Sequence, residues 1–310
     1  MHRIAVDWGS SCLRSFLLDQ QGNLLASRQS DAGILKLKHR EFANVIRQQT
    51  QDWLPECSLI MMAGMVGSRH GWHEVPYLPC PVNLPALAKA SQLLPTELIA
   101  TATTEPASAV LPPIRLVPGL RCTDSNGIAD VMRGEETQIF GALSLSGLDQ
   151  AWLCLPGTHS KWALVQQGRI VRFQSFLSGE LFAVLKQHSS LSAFCQQQSN
   201  DDEAFIKGVA QAATAHSSLL HQLFSVRAQV LTAQLPEQSA CDLLSGLIIG
   251  HELATARHWL TDNTPLLIVG NAELNRLYQQ TAAFFGLVSQ TVSAEAASVA
   301  GFAAISQQYD

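Results

Sequence analysis

Asp7-Trp8-Gly9-Ser10-Ser11-Cys12-Leu13-Arg14 sits between two apolar runs, and residues 3–8 and 13–19 read as paired strands joined by that turn. The same arrangement returns in altered form at Leu155-Pro156-Gly157-Thr158-His159-Ser160-Lys161-Trp162, after Trp152-Leu153-Cys154. Each run continues into a second turn, Gln20-Gln21-Gly22 in one case and Gln166-Gln167-Gly168 in the other. Strand, tight turn, strand, hairpin is therefore written twice, about one domain apart. Glycine lets backbone N–H groups approach phosphate oxygens, and Ser or Thr adds hydroxyl donors, so both turns suit a polyanion. A pair of such hairpins facing each other across a cleft can hold the two ends of a nucleotide's phosphate chain.

The chain of 310 residues exceeds the size at which one hydrophobic core stops growing, so two lobes are expected. A hydrophobic content of 47% with 15% charged residues fits a well-buried globule. The net charge of −5 supplies no basic field, which argues against nucleic acid as a partner. The seven cysteines are scattered without a Cys-x-x-Cys pair, so reduced thiols and a cytoplasmic location are expected, and no structural zinc. The chain opens directly into its first strand, so no signal peptide is expected, and no apolar run approaches a membrane span.

Further strands are expected near Leu24–Arg28, at Leu59–Met62, at Leu116, at Ile170–Phe173, at Leu266–Gly270 and at Ser289–Val292. The spacing of Phe42, Val45, Ile46 and Trp53 predicts a helix, and the stretch from Asp130 to Leu145 reads as another. Ala210, Ala213, Leu219, Leu220 and Leu223 fit one helix, Leu243 through Trp259 a second, and Ala294–Ser306 a small-residue helix. Gly64 to Pro85, rich in Gly and Pro, reads as a long ordered loop of the functional kind. The expected division is residues 1–146 as the N-terminal lobe with the substrate loop, and 147–293 as the nucleotide-binding lobe. The helix at 294–310 is expected to pack back on the first lobe.

Asp7, at the end of the first strand beside a phosphate turn, can hold Mg2+ through its water shell; otherwise it closes a hairpin as an Asx-type turn. Asp130 follows the polar loop Thr123-Asp124-Ser125-Asn126-Gly127 and suits acceptance of an alcohol proton in phosphoryl transfer, with a plain N-cap as the alternative. Arg133 can share its site, whereas Glu136 reads as solvated helix surface. In the long loop Arg69 can grip a carboxylate, with Trp72 or Tyr77 walling a carbon chain; the alternative is a connector whose aromatics enter the core. Lys161 can meet a phosphate or be an exposed hairpin cation. Gly270, ending a buried strand, suits close approach of an adenine or ribose, or simply a turn into a helix.

The order of these features resembles the sugar kinase, heat-shock protein and actin superfamily, whose two RNase H-like lobes clamp ATP and magnesium. Within it the chain resembles the 2-dehydro-3-deoxygalactonokinase family. That resemblance is carried by Asp7-Trp8-Gly9, Gly64-Met65-Val66-Gly67-Ser68-Arg69 with Gly71-Trp72, Pro76-Tyr77, Asp130 to Gln138 and Pro156 to Trp162. It departs mildly at Ser10-Ser11, where the family tends to threonines, and at Leu177-Ser178-Gly179-Glu180, where it tends to Met-Thr-Gly-Glu. The resemblance implies an α/β fold of two RNase H-like, actin-like ATPase lobes, mixed sheets flanked by helices, with a cleft between. It implies ATP-dependent phosphorylation of the terminal hydroxyl of 2-dehydro-3-deoxy-D-galactonate to the 6-phosphate, in D-galactonate breakdown.

Under that reading Asp130 and Arg133 are catalytic, and Gly67, Ser68, Arg69, Trp72, Tyr77 and Glu135 bind the sugar acid. Asp7, Gly9, Ser10, Ser11, Arg14, Gly157, Thr158, His159, Ser160, Lys161 and Gly270 bind ATP, with Mg2+ at Asp7 through water. The partners are a small sugar acid and ATP, with no nucleic acid or membrane, and a homo-oligomer is left open. A phosphatase or nucleotide hydrolase on the same scaffold, and a non-catalytic sugar-acid sensor, stand as alternatives.

Overall fold

The protein is described here by a computed structural model covering residues 1–37, 41–100, 111–195, 199–214, 218–260 and 264–309. It divides into two compact units, one of residues 1–150, 164–173 and 294–310, the other of residues 151–163 and 174–293.

In the first unit the run Ile4-Ala5-Val6 is wholly buried, which requires cover on both faces of its strand. That strand, His2–Trp8, is central: Leu13–Leu18 pairs antiparallel on one side and Cys57–Gly64 parallel on the other. The sheet order is Leu24–Ser30, Leu13–Leu18, His2–Trp8, Cys57–Gly64, Ile114–Leu116, Gln92–Leu93. One face packs Ile4, Val6 and Trp8 against Phe42, Ile46 and Trp53, the first two on the helix Phe42–Thr50. Helix Ala294–Ser306 packs on the first strand and against helix Glu135–Ser146. Small residues set that helix pair: a Cβ on Gly301 would lie 2.0 Å from the Thr137 carbonyl oxygen, and one on Gly141 1.8 Å from that of Ala297.

A second sheet repeats the pattern. Ala151–Leu155, buried at every position, lies between Ser160–Gln166 and Leu266–Gly270, with Ser289–Ser293 beyond the latter and Arg169–Phe176 beyond the former. The pairs of Ala151–Leu155 with Leu266–Gly270, and of that strand with Ser289–Ser293, are parallel. Each central strand thus has a following hairpin on one side and later, parallel strands on the other. Helix Ala240–Ala256 is apolar nearly all round and buried along most of its length, with Asp202–Ala212 and Leu219–Leu231 packed on it.

Two expectations change. Ala210 and Leu219, Leu220 and Leu223, read as one helix, belong to two, Asp202–Ala212 and Leu219–Leu231, and Ala213 only caps the first. Asp130 does not open a helix. It lies in a strand, Ala129–Met132, paired antiparallel with Leu120–Thr123, and the helix begins at Glu135 after Gly134 at φ 109°. The turn between those strands is closed by Asp124, whose Oδ1 accepts from the N–H groups of Asn126 and Ile128 at 2.8 and 2.9 Å.

Because a methyl at residue 301 has backbone oxygen in its way, Gly301→Ala should destabilise the first unit by about 1–3 kcal/mol through overpacking. Thermal denaturation checks this, and an unchanged midpoint would mean the two helices do not approach as described.

Candidate active-site residues

The turn after the first strand is braced from behind. Gly9 N–H donates to the Cys12 carbonyl at 3.0 Å, while Ile34 and Leu35 donate to the carbonyls of Gly9 and Ser10 at 3.1 and 3.2 Å. The Trp8 indole N–H donates to Ala32 at 2.7 Å, and Gly33 passes so close that a Cβ would sit 2.2 Å from the Ser11 carbonyl carbon. Ser11 is exposed and Ser10 half-buried. Asp7 and Arg14 are cross-strand partners with Oδ2 and Nη2 3.7 Å apart and side chains 17% and 32% exposed. Burial raises the Asp7 carboxyl above its usual range, with Arg14 working against that rise. Burial works against the Arg14 charge, but Asp7, Cys12 and Glu295 outweigh it and raise the guanidinium's pKa. Among the described residues, no group of three or more His, Cys, Asp or Glu could hold a metal ion. Asp7 therefore fits a hard cation only as one carboxylate completed by water and phosphate oxygens.

In the same unit, the Gly64–Pro85 stretch opens with a turn of 3-10 helix, Met65–Gly67. Gly67 accepts from Val75 N–H at 3.0 Å, which folds the loop back over Arg133. Arg133 is only 8% exposed. Its Nη2 donates to the Val75 carbonyl at 2.7 Å and its guanidinium lies 4.2 Å from the Tyr77 ring centre. Among the described residues, Nε and Nη1 have no hydrogen-bond partner, nor does the buried Ser68 hydroxyl. A Cβ on Gly67 would stand 3.0 Å from Nη1. Gly67, Ser68, Tyr77 and Arg133 are thus gathered by this loop. Arg69 is exposed, and half-buried Trp72 stacks on Phe42, ring centres 5.8 Å apart, so its body serves the core.

Asp130, half-buried, accepts at Oδ1 from Val131 N–H at 2.7 Å. Glu135 Oε2 accepts from Arg133 N–H at 3.0 Å. Glu136 is a correction: it is 0% exposed, not solvated helix surface. Both its oxygens accept from Gly134 N–H, at 2.9 and 2.8 Å, and burial first, then Glu135, pushes its carboxyl up to about 8.

In the second unit Gly157 carries the turn, and a Cβ there would meet nothing within 4 Å. Behind it the helix Ser178–His188 begins so close that a Cβ on Gly179 would lie 2.2 Å from the Gly157 carbonyl oxygen, and Glu180 N–H donates to Thr158 at 2.9 Å. His159 Nε2 meets Glu180 Oε2 at 2.5 Å at the exposed tip. Lys161 is no exposed cation: it is 5% exposed and donates to Ser175 Oγ at 2.7 Å. Ser160 turns inward to Tyr278 Oη at 2.9 Å. Gly270 ends its strand against Asn275, and Asn271 caps the following helix by accepting from Leu274 N–H at 2.8 Å. A cavity of about 170 Å³ runs from Gly157 and Gly179 toward Phe182, Phe205, Ile248 and Leu277. Sequence reading passed over Glu252, the buried carboxylate beside it, because a single acid in an apolar helix carries no motif.

Two such units, each with a glycine turn after its central strand, define a kinase-type ATPase fold. A dehydratase activator from Clostridium difficile, solved with ADPNP, has the same fold, with a TM-score of 0.53 at 10% identity, covering 100% of this chain and 96% of that one. The 2-keto-3-deoxy-galactonokinase family profile matches residues 7–305, and the chain belongs to that family. It is 34% identical over 302 residues to the 2-dehydro-3-deoxygalactonokinase of Escherichia coli (strain K12), covering 97% of this chain and 96% of the relative. A Sinorhizobium meliloti protein solved as a candidate 2-dehydro-3-deoxygalactonokinase matches with a TM-score of 0.84 at 31% identity, covering 98% of both chains.

Glu136 generates a pH prediction. Between its ordinary value of 4.5 and about 8 the folded state holds a proton that the unfolded state has released, so stability falls as pH rises across that window. Glu136→Gln should flatten this fall, as read from unfolding midpoints at pH 5 to 8; an unaltered slope would show that Glu136 is ionised in the fold.

Proposed function

We propose that the chain transfers the terminal phosphoryl group of ATP to the C6 hydroxyl of 2-dehydro-3-deoxy-D-galactonate. The observation that carries the donor side is the second-unit cavity, whose glycine turn borders an apolar interior. Backbone at Gly157 and Thr158 faces the phosphates, the base enters between Phe182, Phe205 and Ile248, and Gly270 closes the strand end beside it. In the first unit the turn of Gly9, Ser10 and Ser11 with Arg14 would provide further donors, and Asp7 would hold Mg2+ through water. Bound there, Mg2+ would neutralise charge on the phosphates.

On the acceptor side the buried, incompletely partnered Arg133 supplies positive charge for a sugar acid, with Gly67, Ser68, Tyr77 and Glu135 about it. Arg69, being exposed, serves in that role only on substrate binding. The substrate hydroxyl oxygen attacks phosphorus, its proton passes to Asp130, and the bond to the departing ADP oxygen breaks. All seven cysteines are free, which supports a reducing, cytoplasmic setting, and no described helix is long and apolar enough to cross a membrane.

Asp130→Asn should lower kcat by about 10³-fold, within the range for a general base, while ATP still binds. Near-normal turnover would remove Asp130 from that role. A Gly157→Ala methyl would project into open space, so folding should be unaffected while KM for ATP rises about tenfold by excluding phosphate oxygens. Steady-state kinetics with varied ATP tests it. Phosphate release without sugar acid would favour a hydrolase instead.

A further inference from the structure

We propose that Glu252 is the positioning residue of the donor-phosphate turn. This rests on the reading of Gly157–Ser160 as that turn. Glu252 lies on the buried helix Ala240–Ala256 and is 2% exposed. Its Oε1 accepts from the Trp162 indole N–H at 2.8 Å. Its Oε2 accepts from the Tyr278 hydroxyl at 2.9 Å and from the Ser178 hydroxyl. Tyr278 in turn meets Ser160 Oγ at 2.9 Å.

One carboxylate therefore ties down both sides of the turn. Ser160 and Trp162 belong to the strand that leaves it, and Ser178 precedes Gly179, the residue packed against the Gly157 carbonyl. Ser178 and Tyr278 line the first cavity with Gly157 and Gly179, while Glu252 and Ser178 line a second of about 300 Å³. One buried acceptor group with three donors holds three elements together, and losing it strands those donors. Glu252 need not touch the nucleotide. It fixes where the backbone of Gly157 stands.

The test is steady-state kinetics of the full chain, varying ATP and sugar acid separately, with unfolding midpoints alongside. Glu252→Ala should raise KM for ATP about tenfold and leave KM for the sugar acid within about twofold. Glu252→Gln should largely restore the ATP value, because its oxygen still accepts from Trp162 while its amide donates to hydroxyls that can rotate. Should Glu252→Ala not fold, Tyr278→Phe and Ser178→Ala take its place, each expected to raise KM for ATP about threefold. A lowered midpoint with both KM values unchanged would reduce Glu252 to a packing residue and overturn the proposal. If Gly157→Ala raises KM for ATP but no variant of this network does, the positioning role alone fails. If Gly157→Ala also has no effect, the donor turn was misplaced and both readings fall.

Discussion

The interaction on which both candidate anion turns depend is backbone packed on backbone. Gly33 lies across Ser10-Ser11, and Gly179 across Gly157-Thr158, each at distances no side chain allows. The consequence is electrostatic as much as steric. At the first turn the Gly9 and Ser10 carbonyls are engaged by Ile34 and Leu35, and at the second the Thr158 carbonyl by Glu180. Carbonyl oxygens occupied from behind are turned from the face an anion would approach, leaving that face to donors.

Glu136 in the first unit and Glu252 in the second are carboxylates almost wholly removed from solvent, and the two are stabilised differently. Glu136 accepts from Gly134 N–H at both oxygens and from the Thr137 hydroxyl at 3.5 Å, but burial and the adjacent Glu135 outweigh these bonds, so the fold favours its neutral form. Glu252 faces three donors from three elements, and although burial still raises its carboxyl, those hydrogen bonds oppose the rise. A neutral acid near Arg133 spares that guanidinium from being neutralised by the helix that follows it. Among the described residues its Nε and Nη1 stay without a hydrogen-bond partner, which leaves a buried cation with donors to spare.

The two hairpins were legible because glycine turns between apolar runs are local signals, and the family resemblance rested on the same blocks. The parallel partners were legible only as isolated strands, since a crossover leaves no mark in the pattern. The Asp130 strand was misread although Asn126-Gly127 between Leu120–Thr123 and Ala129–Met132 is a strong hairpin signal. Helical spacing after residue 135 was extended backward over it, and only Gly134 marks the break. Ala210 and Leu223 were joined because two amphipathic helices separated by a short polar stretch keep an apparent period. Glu136, Lys161 and Glu252 could not be placed from sequence, because their burial depends on partners distant in the chain.

The strand placement of Asp130 bears on its proposed role as the proton acceptor. A base that capped a helix would be committed to the N–H groups of the first turn, and would loosen that cap whenever it took up the acceptor's proton. On a strand, the backbone of Asp130 is fixed by its register opposite Cys122, whatever the charge on its side chain. It shares a face with Met132, which is buried, while Ala129 and Val131 face outward, so the pleat directs the carboxylate inward. The helix dipole nearby is left to Glu135, an acid of its first turn. In the proposed role, separating the proton acceptor from the helix cap would let protonation change once per turnover without moving the elements that hold the site.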